Sequence, residues 1–223
     1  MVVVASSVKE QIICAAERLF AERGVVGVSL RQIGVAAGNG NNSAVQYHFG
    51  SKDKLIQSIF EYRLARLHAR RAVVIEELQP TDVRGWVSCQ ARAVLEQSEL
   101  DGSHYMRFVA MLYQYGHRDV FVRMPAEFVD ATREFHAALA SVLPHIVEPL
   151  RSHRIARAMA LIVYVAADRE RQRASGFPVL PLALELGELA DGMVGFLNAE
   201  ASQESLRALV RAEPSVVDQP MLL

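Results

Sequence analysis

Apolar residues recur every three or four positions along almost the whole chain, which is the spacing of one face of an α-helix. The first such face consists of Ile12, Ala16, Leu19 and Phe20. The pattern predicts a helix from about Ser7 to Arg23, with a capping box of Ser7 and Glu10 at its start and Gly24 at its end. No segment alternates with the period of two that marks a half-buried strand, so we predict an all-α protein.

A second, shorter helix is predicted to begin after Ser29, which can form a capping box with Gln32, and to end at Gly38. The next residues, NGNN, are typical of a turn because Asn and Gly tolerate positive φ. A third short helix then begins at Asn41 or Asn42. Two short helices joined by a tight turn that contains glycine form a helix-turn-helix, so the first three helices are predicted to make a three-helix head.

Ser51 can cap a long fourth helix that runs to about Gln79, and Pro80 marks its end. Further helices are predicted at about residues 82–98, 104–116, 125–142, 153–174 and 181–199. We divide the chain into a helix-turn-helix domain at residues 1–55, a larger helical domain at 56–201 and a tail at 202–223. The tail begins with a weak helical pattern, and we expect it to be mobile.

The charge of the chain is unevenly distributed. The formal net charge of the 223 residues is −1, which does not by itself favour a nucleic-acid partner. Residues 1–70 nevertheless carry nine Lys or Arg against five Asp or Glu, whereas the remainder has an excess of five acidic residues. A basic head on an acidic body suits an anionic partner that binds the head alone.

The segment NNSAVQYHFGSKDKL, residues 41–55, concentrates hydrogen-bonding side chains at the third predicted helix. A helix-turn-helix places the N-terminal residues of its second helix against base edges in the major groove of DNA. Asn and Gln can bind adenine through two hydrogen bonds, Ser can bind several bases, and Ala can contact the thymine methyl group. The candidate base-reading residues are Asn42, Ser43, Ala44 and Gln46. The candidate phosphate contacts are Tyr47, His48, Lys52 and Lys54.

The same segment completes an ordered set of motifs, A…LF…G, then S…I…AG, then YHF…SK…L. The set consists of Ala16, Leu19, Phe20, Gly24, Ser29, Ile33, Ala37, Gly38, Tyr47, His48, Phe49, Ser51, Lys52 and Leu55. It resembles the DNA-binding region of the TetR family of bacterial transcriptional regulators over about residues 8–58. The resemblance implies a regulator that binds double-stranded DNA as a homodimer, through a helix-turn-helix head and a helical ligand-binding and dimerisation body.

The turn of this chain departs from the family pattern, which has one residue fewer between AG and YHF. Aligned backward from Phe49, the family's base-reading positions fall on Asn42, Ser43, Ala44 and Gln46. Its phosphate-binding positions fall on His48 and Lys52, and a contact at the start of the second helix falls on Arg31. Which bases are contacted stays open because of the additional residue, and Phe49 is expected to pack under the head.

Two helical patterns near the end of the body have wide apolar faces, and the second contains Gly187, Gly192 and Gly195. Glycine inside a helix costs about 1 kcal/mol relative to alanine, so these glycines suggest that a neighbouring backbone approaches closely. The resemblance implies dimerisation through such helices, and packing within the subunit's own core is the alternative. The candidate dimerisation residues are Ile155, Met159, Ile162, Leu189, Gly192, Met193, Gly195 and Phe196.

The middle of the body is rich in aromatic residues and Met, which can line an apolar pocket or form ordinary core. The candidate ligand-binding residues are Trp86, Tyr105, Met106, Phe108, Tyr115, Phe128 and His136. The polar groups that can orient a head group are Tyr105, Tyr115, Gln114 and His136. The expected ligand is a small hydrophobic molecule such as a fatty acid, an acyl-thioester, a steroid or an aromatic compound, and its identity stays open.

Enzyme classes find little support in the sequence, which lacks the G-x-S-x-G, HExxH and CxxC motifs and a phosphate-binding glycine loop. The seven His have no metal-ligand spacing, so no metal and no cofactor are expected. Two unlinked Cys and the absence of a long apolar run favour a cytoplasmic protein that does not insert into a membrane. A regulator, and more specifically a repressor, is the main hypothesis. A helical scaffold that uses the helix-turn-helix for packing is the alternative.

Overall fold

The computed structural model describes residues 7–38, 44–115 and 124–211, and these residues form ten α-helices and no strand. The head comprises α1 (Val8–Arg23), α2 (Leu30–Ala36) and α3 (Ala44–Phe49). The body comprises α4 (Lys52–Leu78), α5 (Val83–Ser98), α6 (Tyr105–Gln114), α7 (Ala126–Ser141), α8 (Leu150–Ala174), α9 (Leu182–Asn198) and α10 (Gln203–Arg211). The predicted all-α fold is therefore confirmed.

The predicted caps of the head are present. Ser7 and Glu10 form a capping box at the start of α1, and Gly24 caps its end with a positive φ of 72°. Ser29 and Gln32 form the second capping box at the start of α2. These signals were readable from the sequence because each one depends on residues no more than four positions apart.

Head and body share one helix, because α4 begins beside the head at Lys52 and continues without interruption to Leu78. Its 27 residues span about 40 Å at 1.5 Å per residue. The body packs α5 against α4, α8 and α9, and packs α6 against α8. Helix α7 lies over α4, α5 and α8.

The hydrophobic core is continuous from head to body. At the junction, the Phe108 ring of α6 lies 6.1 Å from Phe20 of α1 and 5.6 Å from Phe60 of α4, measured between ring centroids. Tyr105 lies edge-on to Phe60 at 6.2 Å. The orientation of the head is therefore set by aromatic packing against α6 as well as by the shared helix.

Two boundaries differ from the sequence prediction. Helix α8 begins at Leu150 rather than near residue 153, because Pro149 stands at its N-cap, and the fixed φ of proline suits a helix start. The first part of the predicted mobile tail forms α10, which has no buried residue. None of the helices in the described ranges is long and apolar enough to cross a membrane.

Candidate nucleic-acid interface and effector region

Helix α3 is held against the head by one face and presents the other to solvent. Val45 and Phe49, four residues apart, are both buried and share a face of the helix. A side chain at Gly34 of α2 would begin 3.4 Å from a Val45 methyl group, so α2 and α3 are in close contact there. This packing fixes the orientation of the remaining side chains of α3.

The solvent face of α3 carries Gln46, Tyr47 and His48, all of which are exposed. Tyr47 is 85 % exposed, and its ring stands edge-on to that of His48 at 5.3 Å. Ala44 is half-buried at the start of the described part of the helix, and Arg31 is exposed in the first turn of α2. An amide, a phenol, an imidazole and a guanidinium are thus available to an external partner.

Asn42 and Ser43, the first two predicted base-reading residues, lie outside the described residues, as does the NGNN turn. The described base-reading candidates are therefore Ala44 and Gln46.

Lys52 has a role within the head that the sequence did not indicate. Its Nζ donates a hydrogen bond of 2.9 Å to the backbone carbonyl of Val25, in the loop between α1 and α2. Lys54, which is exposed in the same turn of α4, has no such contact among the described residues. Lys52 ties the start of α4 to the α1–α2 loop and holds a positive charge at the surface of the head.

A buried polar cluster joins the head to the body. Glu17 of α1, which is 1 % exposed, receives two hydrogen bonds of 2.7 and 2.8 Å from Arg63 of α4. Its Oε1 also accepts the backbone N–H of His104 at 3.0 Å, at the start of α6. The carboxylate therefore connects three helices and offers its negative charge to the N-terminus of α6, where it is favourable.

A second buried carboxylate, from the body, also accepts a backbone N–H of α6. Glu170 of α8 is buried and accepts the backbone N–H of Arg107 at 3.0 Å, in the first turn of α6. Burial raises the pKa of this carboxyl group. Helix α6 has no side-chain cap of its own at His104, so its first turn is satisfied by carboxylates from α1 and α8.

The predicted ligand-binding residues divide among three places. Tyr105, Met106 and Phe108 are fully buried in the hydrophobic core. Tyr115 is exposed and borders a groove. Trp86, Phe128 and His136 lie in the region where α4, α5 and α7 meet.

The groove lies between the head and the body and has a volume of about 1520 Å³. Its walls are the end of α1 with the following loop (21–27), the second half of α6 and the middle of α8. Tyr115 and Tyr164 on its walls are exposed. This volume exceeds the range of about 300–1,000 Å³ that is usual for ligand pockets.

The region beneath α7 contains a buried positive charge, in a group that we call the Arg71 cluster. Its members are His68, Arg71, Trp86, Gln90, Phe128 and Phe135. Arg71 is only 3 % exposed. Its guanidinium donates hydrogen bonds to Gln90 Oε1 at 3.1 Å and to the backbone carbonyl of Ala131 at 3.2 Å. It lies 4.7 Å from the centre of the Phe135 ring.

The acceptors around Arg71 are neutral. Among the described residues, no Asp or Glu forms an ion pair with this guanidinium, and burial lowers the pKa of Arg71 to about 10. Burial, reinforced by the Arg71 charge, also lowers the pKa of His68 to about 4, so His68 is neutral at pH 7. Of this cluster, only Trp86 and Phe128 were predicted from the sequence as ligand-binding residues.

Most of the predicted dimerisation residues are core residues of one protomer. Ile155, Met159, Ile162, Leu189 and Met193 are buried within the single chain, because α8 and α9 pack on α5 and α6. Their role in dimer contacts stays a prediction. Gly192, Gly195 and Phe196 are exposed, and an added side chain at either glycine would meet no atom within 4 Å.

The outward faces of α8 and α9 carry large apolar side chains in solvent. They are Leu161, Tyr164, Leu184 and Phe196. Within the described ranges, no group of three or more His, Cys, Asp or Glu is arranged to hold a metal ion.

Two family models match the chain. The model of the bacterial regulatory proteins of the tetR family matches residues 12–59, which cover α1 to the first part of α4. A model described as the tetracyclin repressor-like C-terminal domain matches residues 89–199, which include α6 to α9. Together the two models cover more than half of the chain. No curated protein sequence matches it.

Several solved structures have the same fold. A transcriptional regulator from Rhodococcus sp. Rha1 has a TM-score of 0.53 and 21% identity over 86% of this chain and 99% of its own. NalD, the secondary repressor of the MexAB-OprM multidrug efflux pump in Pseudomonas aeruginosa, has a TM-score of 0.52 and 20% identity over 84% of this chain and 94% of its own. PfmR, a TetR family transcriptional regulator from Thermus thermophilus, has a TM-score of 0.53 and 15% identity over 89% of this chain and 100% of its own. At these identities the likeness concerns the fold alone.

Proposed function

This chain belongs to the TetR family of bacterial regulatory proteins, and we propose that it is a repressor that binds a near-palindromic operator as a homodimer and is released by a small organic ligand. Members of the family are DNA-binding transcriptional regulators and not enzymes. The operator, the dimer and the ligand are the parts that this proposal adds.

The observation that carries the DNA-binding part is the orientation of α3. Val45 and Phe49 bury one side of this helix and leave Gln46, Tyr47 and His48 in solvent. A recognition helix needs this division, because its base contacts must come from side chains that the core does not use. The excess of positive charge in residues 1–70 supports binding to a polyanion.

Gln46→Ala is expected to change the base preference at one position of each half-site. A bidentate contact between an amide and adenine supplies about 1–3 kcal/mol of discrimination, and Gln46 is fully available for it. The measurement is the affinity for a panel of operators in which each base pair is substituted in turn. Gln32→Ala, which removes an exposed amide that caps α2, is the matched control and should leave the preference unchanged.

Lys52→Ala is expected to weaken binding to all sequences about equally and to reduce the slope of log affinity against log salt by about one unit. Because Lys52 also holds the Val25 carbonyl, the variant should lose about 1 kcal/mol of folding stability. Lys54→Ala removes a neighbouring charge without that hydrogen bond and serves as the comparison. A change of base preference in Lys52→Ala would show that the assumed position of α3 on DNA is wrong.

The dimer is proposed to form through the outward faces of α8 and α9. Leu161, Tyr164, Leu184 and Phe196 are large apolar side chains that are 39–62% exposed in the protomer, and burial of the exposed part favours association. Gly192 and Gly195 leave open space on α9, which allows a second backbone to approach closely. The two recognition helices must then lie about 34 Å apart to meet successive major grooves.

Ligand release is proposed to act through α4, which carries Arg71 in the body and begins in the head at Lys52. These two residues are separated by about 28 Å of continuous helix. A ligand that favours one position of α4 biases the spacing of the two heads in proportion to its preference for that state. The ion pair between Arg63 of α4 and Glu17 of α1 passes the same displacement to the head.

A scaffold that uses the helix-turn-helix only for packing would behave differently in solution. Specific and non-specific DNA affinity should fall steeply with salt if phosphates are bound. A fluorescence anisotropy titration with genomic fragments at several salt concentrations separates the two functions. Absence of salt-dependent binding at every condition would favour the scaffold.

A further inference from the structure

We propose that the Arg71 cluster is an anion site, and that the effector is an organic monocarboxylate with an apolar or aromatic body. This proposal rests on the proposed function and deepens it, since it names the chemical class of the ligand and the residues that bind it.

The charge of Arg71 is not balanced within the protein. A buried ionised group is costly unless an opposite charge or a metal compensates it. Arg71 has only a side-chain amide oxygen and a backbone carbonyl as acceptors, whereas the other buried guanidiniums are paired: Arg63 with Glu17, and Arg169 with Glu99 and Glu185. Arg71 is therefore the exception among the deeply buried arginines of the described chain.

Further hydrogen-bond donors lie beside Arg71. Gln90 gives its oxygen to Arg71, and its Nε2 is buried with no hydrogen-bond partner. The Nε2 atom of His68 is also buried without a partner. A neutral imidazole can carry its proton on this nitrogen. The cluster therefore offers three kinds of donor: a guanidinium, an amide N–H and an imidazole N–H. A carboxylate, with two charged oxygens, can accept from all three, whereas a neutral ligand with one acceptor oxygen cannot.

Aromatic side chains surround these polar groups. Phe128 lies 5.8 Å from the His68 ring, and Trp86 lies edge-on to Phe135 at 5.6 Å. Trp86, Phe128 and His68 are only half-buried, so the cluster is partly exposed to solvent. Rings at these positions can cover the apolar part of a ligand whose carboxylate faces Arg71.

The charge balance selects a carboxylate over a phosphate. The cluster holds one full positive charge, because His68 is neutral at pH 7. A monoanion neutralises it, whereas a phosphate monoester, with a charge of about −1.5 to −2, would leave buried negative charge. The same reasoning disfavours a neutral ligand, which would leave the guanidinium uncompensated.

The test is thermal unfolding of the full-length protein without DNA, in the presence of benzoate, phenylacetate or octanoate. The matched neutral probes are benzamide, phenylacetamide and octanamide, and inorganic phosphate is the anion control. We expect at least one carboxylate to raise the Tm and its amide to have no effect. The proposal is overturned if no carboxylate stabilises the protein, or if an amide or phosphate stabilises it equally.

Two variants locate the site. Arg71→Met should remain folded, because it replaces an unpaired buried charge with an apolar side chain of similar volume. Its affinity for the carboxylate should fall at least about tenfold. Gln90→Glu supplies Arg71 with a partner inside the protein, so it should raise the Tm of the ligand-free protein and abolish the carboxylate response. Arg133→Met, at an exposed arginine of α7, is the control and should respond as the unsubstituted protein does.

The outcomes separate this proposal from the function on which it rests. A carboxylate response that survives in both Arg71→Met and Gln90→Glu would contradict the assignment and would place the ligand elsewhere, for example in the groove. Operator binding by the same variants, measured without carboxylate, tests DNA binding independently. If operator binding is intact and no carboxylate acts, this proposal alone fails.

Discussion

Glu17→Ala is expected to lower the free energy of unfolding by about 3–5 kcal/mol, because removing one partner from a buried ion pair leaves the other charge without compensation. In this protein the loss has two parts. Arg63 loses both of its hydrogen bonds to the carboxylate, and the backbone N–H of His104 loses its acceptor. Urea unfolding monitored by circular dichroism gives the change in free energy.

A double-mutant cycle separates the ion pair from the contact to α6. Arg63→Met alone should also be strongly destabilising, whereas Glu17→Ala combined with Arg63→Met should cost less than the sum of the two, since no buried charge remains. Glu22→Ala, at an exposed carboxylate near the end of α1, is the control and should be close to neutral. Additive effects of Glu17→Ala and Arg63→Met would contradict the pairing.

Gly195→Leu is expected to convert the dimer into a folded monomer and to reduce operator affinity by a factor of about 10²–10⁴, because each half-site is then bound without the effective concentration that a dimer provides. The protomer itself should tolerate the change, since an added side chain at this position meets no atom within 4 Å. Analytical ultracentrifugation and operator titration at the same protein concentration give the two quantities.

Gly195→Ala is the matched control, because a methyl group changes helix propensity by about 1 kcal/mol in the favourable direction and adds little bulk. It should retain the dimer. The melting temperature of Gly195→Leu should stay near that of a diluted, dissociated sample of the unsubstituted protein. A Gly195→Leu protein that remains dimeric at micromolar concentration would place the interface away from this part of α9.

The sequence predicted what depends on short-range signals. The capping boxes of α1 and α2 and the helix-turn-helix were readable because each is encoded by neighbouring residues. The sequence did not indicate which face of α8 and of α9 is buried within the protomer. Ile155 and Met159 face inward while Leu161 and Tyr164 face outward, and the pattern marks both faces as apolar without saying which one a second copy of the chain covers.

The buried charges were missed, although the sequence contains a signal for them. Arg71 is four residues after Leu67 and three before Val74, both of which are buried, so helical spacing places it on the buried face of α4. Glu17 occupies the same kind of position between Ile13 and Phe20 in α1. The identity of the partners could not be predicted, because Gln90 and His104 reach these charges only through tertiary packing.

The central claim is that this protein reads DNA as a symmetric dimer, and the most direct test is selection from genomic fragments followed by footprinting on the recovered site. We expect a protected region with approximate two-fold symmetry. Its half-site centres should be separated by about one turn of DNA, 10–10.5 base pairs, or a multiple of it. A protected region without two-fold symmetry, or no selected fragment at any salt concentration, would contradict the account.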